Sequence, residues 1–320
     1  EGPLPEHLDT RNGLSDNNVW GIMQAEDSNI WLGTYNGINI YDPVKKQLRV
    51  VGKELGAGSN RVGRMMEYNK DSVVVMTQTG FRILDRRQNK VVNYASGYLD
   101  KLALLSCTKD KQNRLWFAAI KGLLQINLHS NVAKQFGRSS GLPSDLLWTI
   151  TTDPSGNIWA GTDSGVAIIN PANNTVKLLR ESEGLCNNQV MKIVPAKNGE
   201  VWVATQKGIS IIDIKKNSIT NLTSKEGLLP DAAYDLLESN NVMYAGSSDG
   251  MIAITHTDST ATGKSKWNFV NYGKKEGFPF NDYNQNAGTA TKSGQLWWGI
   301  TPVLTVATQP VVKDTAAPVV

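Results

Sequence analysis

A seven-residue phrase returns along this chain about every 43 residues, and few architectures can absorb such a repeat. Trp31-Leu-Gly-Thr-Tyr-Asn-Gly37 is followed by Trp116-Phe-Ala-Ala-Ile-Lys-Gly122, Trp159-Ala-Gly-Thr-Asp-Ser-Gly165 and Trp202-Val-Ala-Thr-Gln-Lys-Gly208. Weaker copies run from Val74 to Gly80 and from Tyr244 to Gly250, and a degraded seventh begins at Trp297. The second copy has Val74 for Trp and Met76 for the small residue, and the seventh lacks the final Gly. The heads at 31, 74, 116, 159, 202, 244 and 297 are spaced by 43, 42, 43, 43, 42 and 53 residues. A unit of this size that cannot bury its own apolar face must stack on its neighbours.

Within one unit the pattern is strand-like. Residues 157–162 alternate into the pair Ser164-Gly165, and the apolar run Val166 to Ile169 follows. Pairs such as Asn36-Gly37, Lys207-Gly208 and Asp249-Gly250 occupy the same place elsewhere, where Gly supplies the positive φ of a tight hairpin. A preceding strand holds runs such as Leu147 to Thr151, and a fourth is marked by Val51, Val92, Phe136, Leu179, Leu222 and Tyr272. Four-stranded antiparallel units repeated radially form an all-β, seven-bladed propeller. Residues 1–308 are assigned to it, with blades opening near 13, 56, 97, 141, 184, 227 and 277. Residues 3–9 have the character of an outer strand but lack the three strands that should precede one. They are expected to close the ring by joining the last blade, which removes exposed sheet edges.

Composition narrows the function classes. The 33 basic residues against 29 acidic ones include no long basic run, which argues against nucleic acid. Three histidines, His7, His129 and His256, share no register, so no catalytic residue, metal or cofactor is assigned. Cys107 and Cys186 fall two blades apart and are poor candidates for a disulfide.

The period-locked tryptophans are expected to pack between sheets. Aromatics near the start of each innermost strand, Trp20, Trp148, Tyr234 and Tyr283, face either the channel or the adjacent sheet. The loops that open the blades are polar and gather at one channel mouth. Candidate ligand contacts there are Asn18, Trp20, Arg61, Arg64, Asp145, Trp148, Asn188, Asp231, Tyr234, Asn281 and Tyr283. The arginines suit a carboxylate or sulfate. Turn formation by the Asn and Asp residues, and simple solvation of the arginines, are the competing accounts.

The stretch Gly141-Leu-Pro-Ser-Asp145 followed by Asp153-Pro-Ser-Gly-Asn-Ile-Trp-Ala-Gly-Thr-Asp-Ser-Gly165 resembles the two-component regulator propeller repeat. Residues 13–43 and 184–213 match nearly as well. The resemblance spans roughly 13–307 and implies an extracytoplasmic sensor region of a Bacteroidetes-type hybrid histidine kinase. It further implies a periplasmic, non-catalytic module that receives a soluble cue, such as a glycan-derived oligosaccharide. A neighbouring propeller and an immunoglobulin-like domain would flank it in the same chain, with residues 309–320 as the linker. A homodimer, and contact with the membrane only through the full-length receptor, belong to the same expectation. Two rivals remain: a structural spacer or dimerisation platform, and a propeller enzyme of the lyase or hydrolase type.

Overall fold

The computed structural model describes residues 6–51, 61–88, 90–93, 103–258, 265–278 and 283–308. The expected blade openings at Gly56 and Gly97, together with Asn281 and the 309–320 segment, lie outside the described residues.

Seven four-stranded antiparallel sheets are arranged as blades. Blade 1 comprises Val19–Gln24, Ile30–Thr34, Gly37–Asp42 and Gln47–Val51. The innermost strands of blades 2 to 6 are Val62–Asn69, Leu104–Lys109, Leu147–Thr152, Val190–Pro195 and Asp235–Ser239. Blade 7 is Tyr283–Ala290, Leu296–Ile300 and Val303–Ala307, completed by Glu6–Leu8 from the amino-terminal end. Glu6, His7 and Leu8 pair with Val306, Thr305 and Leu304, so the expected closure is present. Among the described residues, no helix is long and apolar enough to cross a membrane.

Apolar clusters fill the seams between neighbouring blades. Trp31 packs against Val62, Met65 and Val75 of blade 2, and Trp159 against Val190, Ile193 and Val203 of blade 5. The period-locked tryptophans are therefore mortar between sheets, as the recurrence implies. Cys107 belongs to the blade 2–3 seam, where burial pushes its thiol up to about 11, and both cysteines are free.

The repeated Thr and Gly have a joint explanation. Thr162 pairs with Gly165 across the hairpin, so Asp163 and Ser164 are the turn and Gly165 begins the third strand. The Thr162 hydroxyl donates to the Gly165 carbonyl at 2.8 Å, and Thr205 does the same to Gly208. Gly165 has φ 110°, and a Cβ there would meet the Leu179 carbonyl oxygen at 2.5 Å. The opening glycines have a second role not anticipated from the sequence. Gly13, Gly141, Gly184 and Gly277 are left-handed residues ending one-turn 3-10 helices.

Candidate ligand site at the channel mouth

Irregularities in the inner strands build the site. In blades 1, 3, 4 and 5 the pairing register slips past one residue, namely Trp20, Leu105, Trp148 and Met191. Blade 2 slips past Gly63 and Arg64. A bulge leaves its extra residue out of the ladder and re-aims the side chain. Trp20, Arg64, Leu105 and Trp148 accordingly line one common cavity.

Blade 7 departs furthest. Between Tyr283 and Gly288 its inner strand leaves the ladder, and Asn286 takes the left-handed conformation at φ 61°. The released side chains reach other blades. Asn284 donates to the Val19 carbonyl of blade 1 at 2.8 Å, and Gln285 to Met191 of blade 5 at 2.6 Å. Asn286 donates to the Trp148 carbonyl of blade 4 at 3.0 Å and accepts from the Thr149 hydroxyl at 3.1 Å. Three consecutive amides thus bridge the ring, which converts part of the channel into a pocket with a floor.

That pocket has a volume of about 390 Å³, within the range of small-molecule sites. Trp20 stacks on Tyr35 with centroids 5.7 Å apart and planes 13° from parallel. The Arg61 guanidinium lies 3.7 Å from the centroid of the Tyr35 ring. Arg64 donates to the Ser106 hydroxyl at 3.2 Å, and Trp148, Gln285 and Asn286 complete the wall. The indole Nε1 of Trp20 is buried without a hydrogen-bond partner among the described residues. The described lining contains arginine, amide, aromatic and apolar groups, with neither carboxylate nor imidazole. Such a surface can stack a flat ring face and donate hydrogen bonds to oxygen.

Of the other described residues expected at the channel mouth, none lines this cavity, which the alternation of strand faces could not reveal in advance. Asp145 accepts from the Arg138 backbone N–H at 2.9 Å, and Asn188 from that of Glu181 at 2.9 Å. Both fasten a 3-10 turn, and Asn17 holds Thr10 in the same manner. Asn18 bonds through backbone and side chain to the Asp16 carboxylate. Asp231 is half-buried away from the cavity, and Tyr234 packs against the blade 6–7 core. Tyr283 lies inside that core, edge-on to Trp298 at 5.8 Å, and burial raises its phenol. Tyr35, Gln285 and Asn286 line the pocket without having been expected there. Tyr35 stands in the hairpin turn of the repeated phrase, and the sequence signal for the two amides is the seventh unit's break from the period.

Residues 13–36 match the family described as two component regulator propeller. The first blade carries a regulator-propeller repeat. No curated protein matches the chain in sequence. The extracellular domain of a hybrid two component system from B. thetaiotaomicron is similar in structure, with TM-score 0.82 and 20% identity, over 97% of this chain and 41% of that one. A second ectodomain of this type from B. thetaiotaomicron has TM-score 0.75 and 15% identity over 96% and 43%. The chain therefore spans about four-tenths of the length of these ectodomains. Virginiamycin B lyase from Staphylococcus aureus, solved with quinupristin, has TM-score 0.69 and 10% identity over 96% and 99%. At these identities the shared feature is the seven-bladed fold, while the regulator-propeller repeat is a property of the sequence itself.

Proposed function

We propose that this chain is a ligand-receiving propeller from the extracytoplasmic, periplasmic sensor region of a hybrid two-component receptor, and that its ligand is a glycan-derived oligosaccharide. The observation that carries this reading is the cavity made by bulged residues Trp20, Arg64 and Trp148 and floored by Gln285 and Asn286. It arises where the chain breaks its own repeat. Stacked indole and phenol rings offer a platform for the apolar face of a sugar, and the arginines and amides donate to its oxygens. The ectodomain neighbours and the regulator-propeller repeat support a place in a sensor.

Turnover is not assigned to the pocket, whose described lining offers neither a carboxylate nor an imidazole as general acid or base. The amides connect the pocket to blade 7, whose third strand runs to Ala307, so occupancy has a physical route toward whatever follows in the receptor.

Calorimetric titration of the chain with a panel of neutral and acidic oligosaccharides tests the proposal. Saturable binding is expected for one member, with Trp20→Ala and Trp148→Ala each weakening it about tenfold or more. Binding that both variants leave unchanged would place the ligand elsewhere, and no binding by any member that activates the full receptor would make this propeller a spacer.

A further inference from the structure

The seven repeats serve as internal controls for one another, and one seam departs from the others in a way that identifies what it accepts. In blades 3 and 4 the indole of the period-locked tryptophan donates to an aspartate six residues earlier: Trp116 to Asp110 at 2.8 Å and Trp159 to Asp153 at 2.9 Å. Blades 1 and 5 have alanine at that position, Ala25 and Ala196. The two seams resulting from this loss are built from matching parts.

At the blade 1–2 seam, Glu67 accepts from the backbone N–H of Glu26, the residue after Ala25. Arg86 fills the space. Its guanidinium pairs with Glu67 and lies 5.6 Å over the Trp31 ring, with the side chain only 14% exposed. At the blade 5–6 seam, Glu238 accepts from the backbone N–H of Lys197, the residue after Ala196, at 2.9 Å. Glu67 and Glu238 also occupy one register, opposite Val73 and Met243. Leu84 and Ile254 face those residues in turn, and two positions further on stand Arg86 and His256. The tryptophan and the carboxylate are retained, while the long cationic side chain is replaced by a shorter imidazole.

The space that Arg86 fills in one seam is a cavity of about 430 Å³ in the other. Glu200 and Glu238 face it together with Trp202 and Trp267. The indoles meet edge to face at 5.7 Å and 78°, and the His256 ring lies on Trp267 at 4.4 Å. The Trp202 Nε1–H reaches Glu200 at 3.4 Å, a long contact compared with those in blades 3 and 4. Two carboxylates beside two indoles attract a cation electrostatically and through the ring faces.

We infer that the blade 5–6 seam is a binding site for an external organic cation, a guanidinium or ammonium group held between Glu238, Glu200 and the Trp202–Trp267 pair. This site is separate from the channel-mouth pocket and does not depend on its assignment. The cation has two sources, a basic side chain of a polypeptide or the amine of a small molecule such as an amino sugar.

The test follows the indole N–H NMR signals of Trp202 and Trp267 in the whole chain as methylguanidinium is added. Saturable shifts of these two signals are expected. Glu238→Gln keeps an oxygen for the Lys197 N–H but removes the charge, and should weaken binding about tenfold, the scale of one charge-assisted hydrogen bond. His256→Arg supplies the guanidinium internally, as blade 2 does. It should abolish the response to added methylguanidinium and raise Tm. Acetyl-arginine amide binding more tightly than glucosamine supports a polypeptide source, and the reverse, with N-acetylglucosamine silent, supports an amino sugar. The inference is overturned if methylguanidinium produces no saturable shift, or if binding survives undiminished in both folded variants.

Discussion

At the scale of the residue, tryptophans of one chemical type have two roles, and mutation should separate them. Trp159 is 1% exposed, packed on blade 5, with its indole N–H on Asp153. Truncating such a side chain leaves a cavity and an unpartnered carboxylate. Trp159→Ala should cost ~3–5 kcal/mol in urea unfolding. Trp20 is half-buried, its indole N–H already lacks a partner among the described residues, and its ring stacks on Tyr35. Trp20→Ala should cost only ~1 kcal/mol, near the worth of an aromatic pair, while removing the ligand platform. Equal losses of stability in the two variants would contradict this division. The contrast was half legible. Period-locking marked Trp159 as core, while Trp20, Trp148 and Tyr234 share one register, seven residues after an opening Gly, and only the first two line the pocket. Tyr283 carries a similar signal yet lies in the core, because its strand leaves the ladder after it and not at it. Bulge position depends on how strands pair, which local sequence does not encode.

At the scale of the element, the inner strands of two neighbouring blades are joined by a buried ion pair. Lys192 of blade 5 and Asp235 of blade 6 form an ion pair at 2.9 Å, with side chains 7% and 0% exposed. Burial lowers the Lys192 pKa, Asp235 opposes that effect, and the nearby Arg64 reinforces it. Asp235 Oδ2 has no hydrogen-bond partner among the described residues, so Lys192 is its principal compensation. Lys192→Met should therefore destabilise by ~3–5 kcal/mol, the cost of stranding a buried charge. Adding Asp235→Leu removes the stranded carboxylate and should recover most of that loss in the same urea titration. A double variant no more stable than the single one would show that the pair is not the relevant unit. This pairing joins residues 43 positions apart, one repeat length, so the sequence holds both partners without marking them as a pair. The turns were far more legible, since the positive φ of Gly165 or Gly208 leaves a recognisable residue type behind.

At the scale of the whole molecule, two devices hold the seventh blade in the ring. One is the Glu6–Leu8 strand on Val303–Ala307, with Leu8 packed in the blade 7–1 core and His7 near the Thr305 hydroxyl at 3.3 Å. The other is the amide bridge, in which Asn284, Gln285 and Asn286 reach blades 1, 5 and 4. The strand was legible from the sequence because residues 3–9 have the character of an outer strand without the three strands that should precede one. The bridge was not, because its amides act across the ring through contacts 94 to 265 residues distant in sequence. The devices are independent, so their removal should differ in kind. Deleting residues 1–8 exposes the edge of Val303–Ala307, a template for pairing with another chain. It should lower Tm and introduce concentration-dependent association, seen by light scattering, while the strand circular dichroism persists because the amides still hold blade 7. Replacing Asn284 and Asn286 by Ala in the intact chain strands no charge and opens no edge. It should weaken ligand binding at the channel mouth, where Asn286 forms part of the wall, without association. Combining the deletion with Ala at all three of Asn284, Gln285 and Asn286 leaves blade 7 attached chiefly through its apolar seams, and urea unfolding should then split into two transitions; a single cooperative transition in that variant would mean the seams suffice to close the ring.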